Sequence, residues 1–419
     1  MRKALPVLAQ HRYLIGFGFL LTFLSGHGQT YFISLFGGAW REAFALSNAG
    51  LGGLYSLATL LSGLLVIALG RGVDRLPLPL FTAAVVLGAA AGGVALGAAT
   101  AAWMLVPGFL LLRLCGQGLM MHVAQTTVAR RIEARRGTAI SLVTVGLPAG
   151  EAVLPALGVW LMAWLGWRGS WLMLAAGLAG VVLPLLLGLL RIEARVAADA
   201  ERADERGDEA GTPAGAADAS GAGDWTRGEV LRDKRFYRVL PALLAPPFLI
   251  TALFFHQVVI ATARGWPLEW VSAAFVAFAA AHVAALLASG PLVDRIGALP
   301  LLRVYLLPLL AALGVLGFLP GQAAAVIYLG LAGLSIGAAG TLMGALWPVL
   351  YGVRHLGAIR SLAHGAMVLS TAVAPVLVGA LLDAGLGVQG LVSILAAYLL
   401  LAIGLVARLP DPPAARFVR

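Results

Sequence analysis

The sequence predicts an all-α membrane protein of twelve transmembrane helices in two pseudo-symmetric six-helix bundles. Three observations carry that expectation. Mean hydropathy is +0.93, with 60% hydrophobic and 11% charged residues over 419 positions, where soluble domains carry about 25% charged residues. The chain divides into apolar runs near the length of about 20 residues that one membrane crossing needs. Finally, a loop motif occurs twice, as Gly70-x-x-x-Asp74-Arg75 and Gly290-x-x-x-Asp294-Arg295-x-Gly297. The offset (294 − 74 = 220) recurs between Gly137 and Gly357, between Ser141-Leu142 and Ser361-Leu362, and between Ala152-Val153-Leu154-Pro155 and Ala372-Val373-Ala374-Pro375. Parallel repeats of this kind place two bundles about an axis along the membrane normal, with a solute site at the midplane between them.

The spans fall near 13–36, 48–70, 79–99, 102–127, 138–163, 170–190, 237–262, 269–289, 300–319, 322–350, 360–384 and 390–408. The first follows Arg2, Lys3 and Arg12 and ends in Gln29-Thr30-Tyr31 without a small-residue cleavage site, so it is expected to stay in the mature chain. The second ends in the first loop motif. Gly88, Gly92, Gly93 and Gly97 form a side-chain-free stripe in the third, and Gly330, Gly333, Gly337, Gly340 and Gly344 another in the tenth. Such stripes let helix backbones approach closely in lipid. The fourth span carries Arg113 and the only cysteine, Cys115, so no disulfide framework or cysteine metal site is available. Between spans six and seven the segment 191–238 is charged and rich in Ala and Gly, and reads as a linker joining bundles 1–190 and 239–419.

The net charge of +10 comes from arginines that alternate with the spans. One side receives Arg41, Arg168 and Arg264; the other receives Arg71, Arg75, Arg130, Arg131, Arg135, Arg136, Arg295 and Arg354. This is the positive-inside pattern, placing both termini in the cytoplasm, and it is no nucleic-acid signal.

Two ionisable side chains lie deep in spans, Arg113 in the fourth and Glu151 in the fifth. The two helices run antiparallel and each residue is about halfway along, so the pair is expected to meet near the midplane, as a proton switch or as a permanent ion pair. The loop carboxylates invite a second reading. A carboxylate is attracted to a helix N-terminus, so Asp74 is expected to dock on the start of span eleven and Asp294 on the start of span five, latching the inner face. His27 and His256 are repeat-related, following Phe19-Leu20-x-Thr22 and Phe248-Leu249-x-Thr251; His122, His282 and His364 lie in other spans. No histidine or carboxylate spacing suggests a metal.

The Gly-x-x-x-Asp-Arg loops resemble those of the major facilitator superfamily, and Arg113-x-x-Gly116-Gln117-Gly118 resembles its second motif. The first loop departs from the pattern at Leu76-Pro77. Arg135-Arg136-Gly137 and Gly166-Trp167-Arg168 look like the monocarboxylate-porter and oxalate–formate antiporter branch, although His27 and His282 stand where its better-known carriers use charged residues. The resemblance implies that spans one, four, seven and ten line a central cavity, which would bring His27, Tyr31, His256 and Gln257 to the site beside Arg113, Gln117 and Glu151.

The expectation is a secondary transporter that moves a small organic solute, a monocarboxylate in the branch reading, by alternating access with proton coupling. It is expected to act as a monomer in a bacterial inner membrane, with no cofactor. No Gly-x-x-x-x-Gly-Lys-[Ser/Thr] motif is present and the only lysines are Lys3 and Lys234, so an ion gradient or exchange must supply the energy. An efflux antiporter for apolar compounds is the alternative, though Gly150-Glu151 and Pro155 replace the glycine–proline ending such carriers have in span five. Gly333-Leu334-Ser335-Ile336-Gly337 spells a nucleophile elbow, with His364 as a conceivable partner, but it lies inside a long helix with no strand before it. A channel would not call for a duplicated half.

Overall fold

A computed structural model of the chain describes residues 11–132, 136–204, 225–352 and 354–409. Among these residues there is helix and no strand. Ten helical runs are long and apolar enough to cross a membrane, and one of them, Gly137–Val196, is 60 residues long. It breaks at Gly166, whose φ of 64° and ψ of 178° suit glycine, and so holds two spans. A further span precedes Asn48 in pieces: helix Arg12–Leu24, a 3-10 turn Ser25–Gly28, and short helical segments to Phe44. With these the count reaches twelve, as the sequence predicts.

The spans are numbered α1 (12–44), α2 (Asn48–Leu69), α3 (Leu78–Gly97), α4 (Ala102–Arg131), α5 (136–165) and α6 (167–204) in the first half. The second half holds α7 (234–263), α8 (Leu268–Ile296), α9 (Ala298–Phe318), α10 (Ala323–Tyr351), α11 (Leu356–Asp383) and α12 (Val388–Ala407). Both ends of the expected linker 191–238 carry structure. Helix α6 continues to Asp204, and the return segment is anchored where the Trp225 amide donates to the Tyr351 carbonyl and Val230 is buried. The centre of that linker, 205–224, and Arg135 lie outside the described residues.

Glycine decides how the helices meet. A Cβ on Gly28 would lie 2.2 Å from the Leu112 carbonyl oxygen, so α1 and α4 touch backbone to backbone there. In α10, Cβ atoms on Gly333 and Gly337 would each fall 2.3 Å from a carbonyl of α8, of Phe278 and His282 respectively. The stripe read in span ten is therefore the seat of α8. Across the seam between the halves, α2 packs on α11 and α5 on α8.

The two ends of that seam differ. At the end away from the chain termini, here the far face, the Asp383 carboxylate at the close of α11 accepts from the backbone amides of Asn48 and Ala49 at 3.0 and 2.8 Å and from the Asn48 side chain at 2.8 Å. Gly379 lets α11 come this close: its Cβ would sit 2.7 Å from the Asn48 and Ala49 backbone. At the terminal face the short helix Gly72–Arg75 packs on α3, the start of α5 on α1 and α4, and the start of α9 on α8, α10 and α12. Each of these stays within its own half.

Candidate functional site

Helices α1 and α7 both break at the repeat-related histidines. His27 lies in the 3-10 turn Ser25–Gly28, and His256 separates Lys234–Phe255 from Gln257–Ala263. Discontinuous helices in corresponding positions of two halves are a usual construction of a solute site in membrane proteins. The histidines themselves are used locally. His27 Nδ1 bonds the Leu24 carbonyl at 3.0 Å, and His256 Nε2 bonds the Pro375 carbonyl of α11 at 2.9 Å. In this conformation both hold helix geometry.

Gln257, directly after the break in α7, crosses the seam. Its side-chain amide donates to the Tyr31 carbonyl at 2.7 Å and to Ser34 Oγ at 2.9 Å, while the Ser34 hydroxyl donates onward to the Phe254 carbonyl at 2.6 Å. Gln257 Oε1 and the Tyr31 hydroxyl, both buried, have no partner within the protein.

Arg113 sits in the π-helical stretch Leu112–Met120 of α4. Turns of this type are rare and concentrate at functional sites. The stretch contains the Arg113-x-x-Gly116-Gln117-Gly118 motif, whose Gly116 meets Gly28 of α1; Gln117 is half-buried beside that contact. Arg113 is 6% exposed. Its Nη1 donates to Thr30 Oγ1 at 3.3 Å, its guanidinium lies 5.2 Å over the Tyr55 ring, and Thr30 and Tyr55 are joined at 2.9 Å. Nε of Arg113 has no partner.

The expected Arg113–Glu151 pair is not formed. Glu151 instead bonds His282 Nδ1 of α8 at 2.8 Å, both side chains being about nine-tenths buried. The reason is helical phase. Gly146 and Gly150 turn toward α1, where their Cβ atoms would meet the Phe19 and Phe23 carbonyls at 2.4 and 2.7 Å, and the residue after Gly150 is rotated about 100° further, onto α8. His282 is therefore the partner that sequence reasoning passed over. The available signal was depth: each residue lies near the middle of its span.

The loop motifs are likewise apart from their expected partners. Asp74 bonds Arg130 of α4, in its own half, with both side chains about half-exposed. Asp294, Arg75 and Arg295 are exposed. Gly70 caps α2 and offers its carbonyl to His122 at 3.1 Å; Gly290 lies inside α8 with open space around it. Gly297 ends α8 at φ 88°, where the first copy turns through Leu76-Pro77 instead. In the nucleophile-elbow sequence, buried Ser335 donates to the Tyr305 carbonyl, and His364 is exposed on α11.

The sequence model of the Major Facilitator Superfamily matches residues 18–349. The fold superposes on a bacterial homologue of the human lysosomal transporter Spinster in an inward-facing, occupied conformation, with a TM-score of 0.70 and 15% identity over 95% of both chains. The inward-facing, unoccupied form of such a homologue gives 0.65 and 14% over 95% of this chain and 94% of that one. The nucleoside transporter NupG gives 0.70 and 12% over 95% and 98%. No curated protein matches the sequence.

Proposed function

We propose that this chain, which belongs to the Major Facilitator Superfamily, moves a small organic anion of the monocarboxylate type by alternating access, with protons as the coupling ion. Membership makes it a multi-pass membrane transporter and not an enzyme. The observation that carries the anion reading is Arg113: a buried guanidinium at the middle of α4, hydrogen-bonded to neutral Thr30, with donors to spare and no carboxylate on it. A charge held there demands a counter-ion. A carboxylate supplies one, and the planar guanidinium matches it in bidentate geometry.

The arginine distribution supports a bacterial inner-membrane location with both termini cytoplasmic. In that orientation the terminal face is the cytoplasmic one, and the conformation is inward-facing. The terminal-face latch then belongs to the opposite state: as the halves close there, Asp74 exchanges Arg130 for the start of α11 and Asp294 meets the start of α5. The working unit is the monomer, since the site is built within one chain.

The test is uptake of radiolabelled short-chain monocarboxylates into proteoliposomes under an imposed pH gradient. Wild type is expected to accumulate them. Arg113→Ala should lower uptake by tenfold or more, because charge-assisted hydrogen bonds are each worth about 1.5–3 kcal/mol and about 1.4 kcal/mol is a factor of ten. Acids left untransported while apolar dyes are expelled equally by wild type and Arg113→Ala would replace this reading with the efflux one.

A further inference from the structure

We propose that the coupled proton is held in the seam between the halves, on the Glu151–His282 pair, and that gaining it favours the conformation closed at the far face. The inference rests on the proton-coupled reading above, and it names the seat of the proton. Glu151 belongs to α5 of the first half and His282 to α8 of the second, and their 2.8 Å bond is the ionisable contact that joins the halves at mid-depth among the described residues. The seat is rigid. Gly333 and Gly337 of α10 clasp the α8 backbone at Phe278 and His282, and Gly146 and Gly150 clasp α5 to α1. Neither side chain can follow its partner if the halves part.

The proton changes the strength of this bond. With His282 neutral, Nδ1–H donates to the Glu151 carboxylate and the pair carries one negative charge. A proton added at Nε2 makes an imidazolium–carboxylate pair of zero net charge, with a shorter and stronger charge-assisted bond. Because the bond spans the seam, its strengthening opposes separation of α5 from α8.

The same bookkeeping couples proton to anion. Empty, with the pair unprotonated, the positive Arg113 and the negative Glu151, though not bonded to each other, sum to zero. Carboxylate on Arg113 together with a proton on the pair is neutral again. Either one alone leaves a net charge at the centre of the membrane, which is costly. The neighbouring elements bring little that would compete. From α1 the Tyr31 hydroxyl reaches Gly150, beside the pair, and His27, in the turn packed on α5, is bound to the Leu24 carbonyl; Arg303 of α9 donates to the Leu409 carbonyl, and α3 contains no titratable residue. In α10 the titratable groups are Tyr328 and Tyr351, near its two ends. Tyr305, after the start of α9, donates to Ala242, and His256 of α7 is held by Pro375.

The experiment uses full-length protein in nanodiscs without substrate, Cys115 replaced by alanine, and spin labels at Thr138 and Ser361, which are exposed at the terminal face on opposite halves. Double electron–electron resonance distances are taken between pH 8 and pH 5.5. The wild-type background should shift several-fold toward the long-distance, far-face-closed population as pH falls. His282→Gln, which keeps a donor for Glu151 but cannot take a second proton, should abolish that shift with an unchanged melting profile, and Glu151→Gln should abolish it too. A wild-type pH response in His282→Gln overturns the proposal. Equilibrium binding of a labelled monocarboxylate to the same samples separates the two readings. Binding retained beside a pH response that ignores the pair overturns this inference alone; a pair-dependent response in protein that binds no carboxylate overturns the anion reading alone.

Discussion

The two faces of the seam use the same chemistry to different ends. At the far face Asp383 closes the halves by docking on the first amides of α2, where unpaired N–H groups and the helix dipole favour a carboxylate. At the terminal face the duplicated motif carries Asp74 and Asp294, proposed above to latch the opposite state; here Asp74 rests on Arg130 of its own half and Asp294 is exposed. At the face with the repeated motif, the bond Asp74 makes among the described residues stays within its own half; the face that is shut uses an acid outside the motif. A carboxylate on a helix start is worth a kilocalorie or so, enough to bias two conformations and too little to lock one. That is the strength a gate needs.

The comparison can be broken most forcefully at Asp383. Asp383→Ala strips the start of α2 of three accepted hydrogen bonds. Losing a capping carboxylate costs about 1–2 kcal/mol, so the far-face-open population should rise about 5–30-fold. Reactivity of a cysteine placed at Leu51, buried near the far-face end of α2, toward an impermeant maleimide measures it; unchanged reactivity would mean that close packing at Gly379, and not the carboxylate, shuts that face. A smaller effect is expected from Asp74→Asn. In the present conformation it removes an exposed pair with Arg130 worth at most about 1 kcal/mol. The same label should respond less than it does in Asp383→Ala, and in the opposite direction, because the state that Asp74 is proposed to latch is the one open at the far face. A response equal to that of Asp383→Ala would show that the two faces are not distinct in kind.

Much of the architecture was legible because hydropathy and a fixed offset are one-dimensional signals. Twelve spans, and the stripe that seats α10 on α8, follow from residue types and intervals. The break within α1 is legible only in hindsight, from Ser25-Gly26-His27-Gly28. The candidate site's residues stand out in the sequence; their pairings do not. Arg113 and Glu151 announce themselves as charges in apolar helices; which neighbour each meets depends on helix rotation and on contacts between distant segments, as with Glu151 and His282, 131 positions apart. The same limit applies to Asp383, which reads as the ordinary end of a span until α2 is set beside it.

The central claim is that the two faces alternate about the Arg113 site, and paired distance measurements test it directly. One pair of spin labels, at Ala43 and Gln389, reports the far face; the other, at Thr138 and Ser361, reports the terminal face, all four positions being exposed. Across substrate-free, carboxylate-bound and Asp383→Ala samples, the account predicts that each lengthening at one face is matched by a shortening at the other, and that carboxylate has no effect on either distance in Arg113→Ala. Distances that rise and fall together at both faces, or a carboxylate response that survives Arg113→Ala, would contradict it.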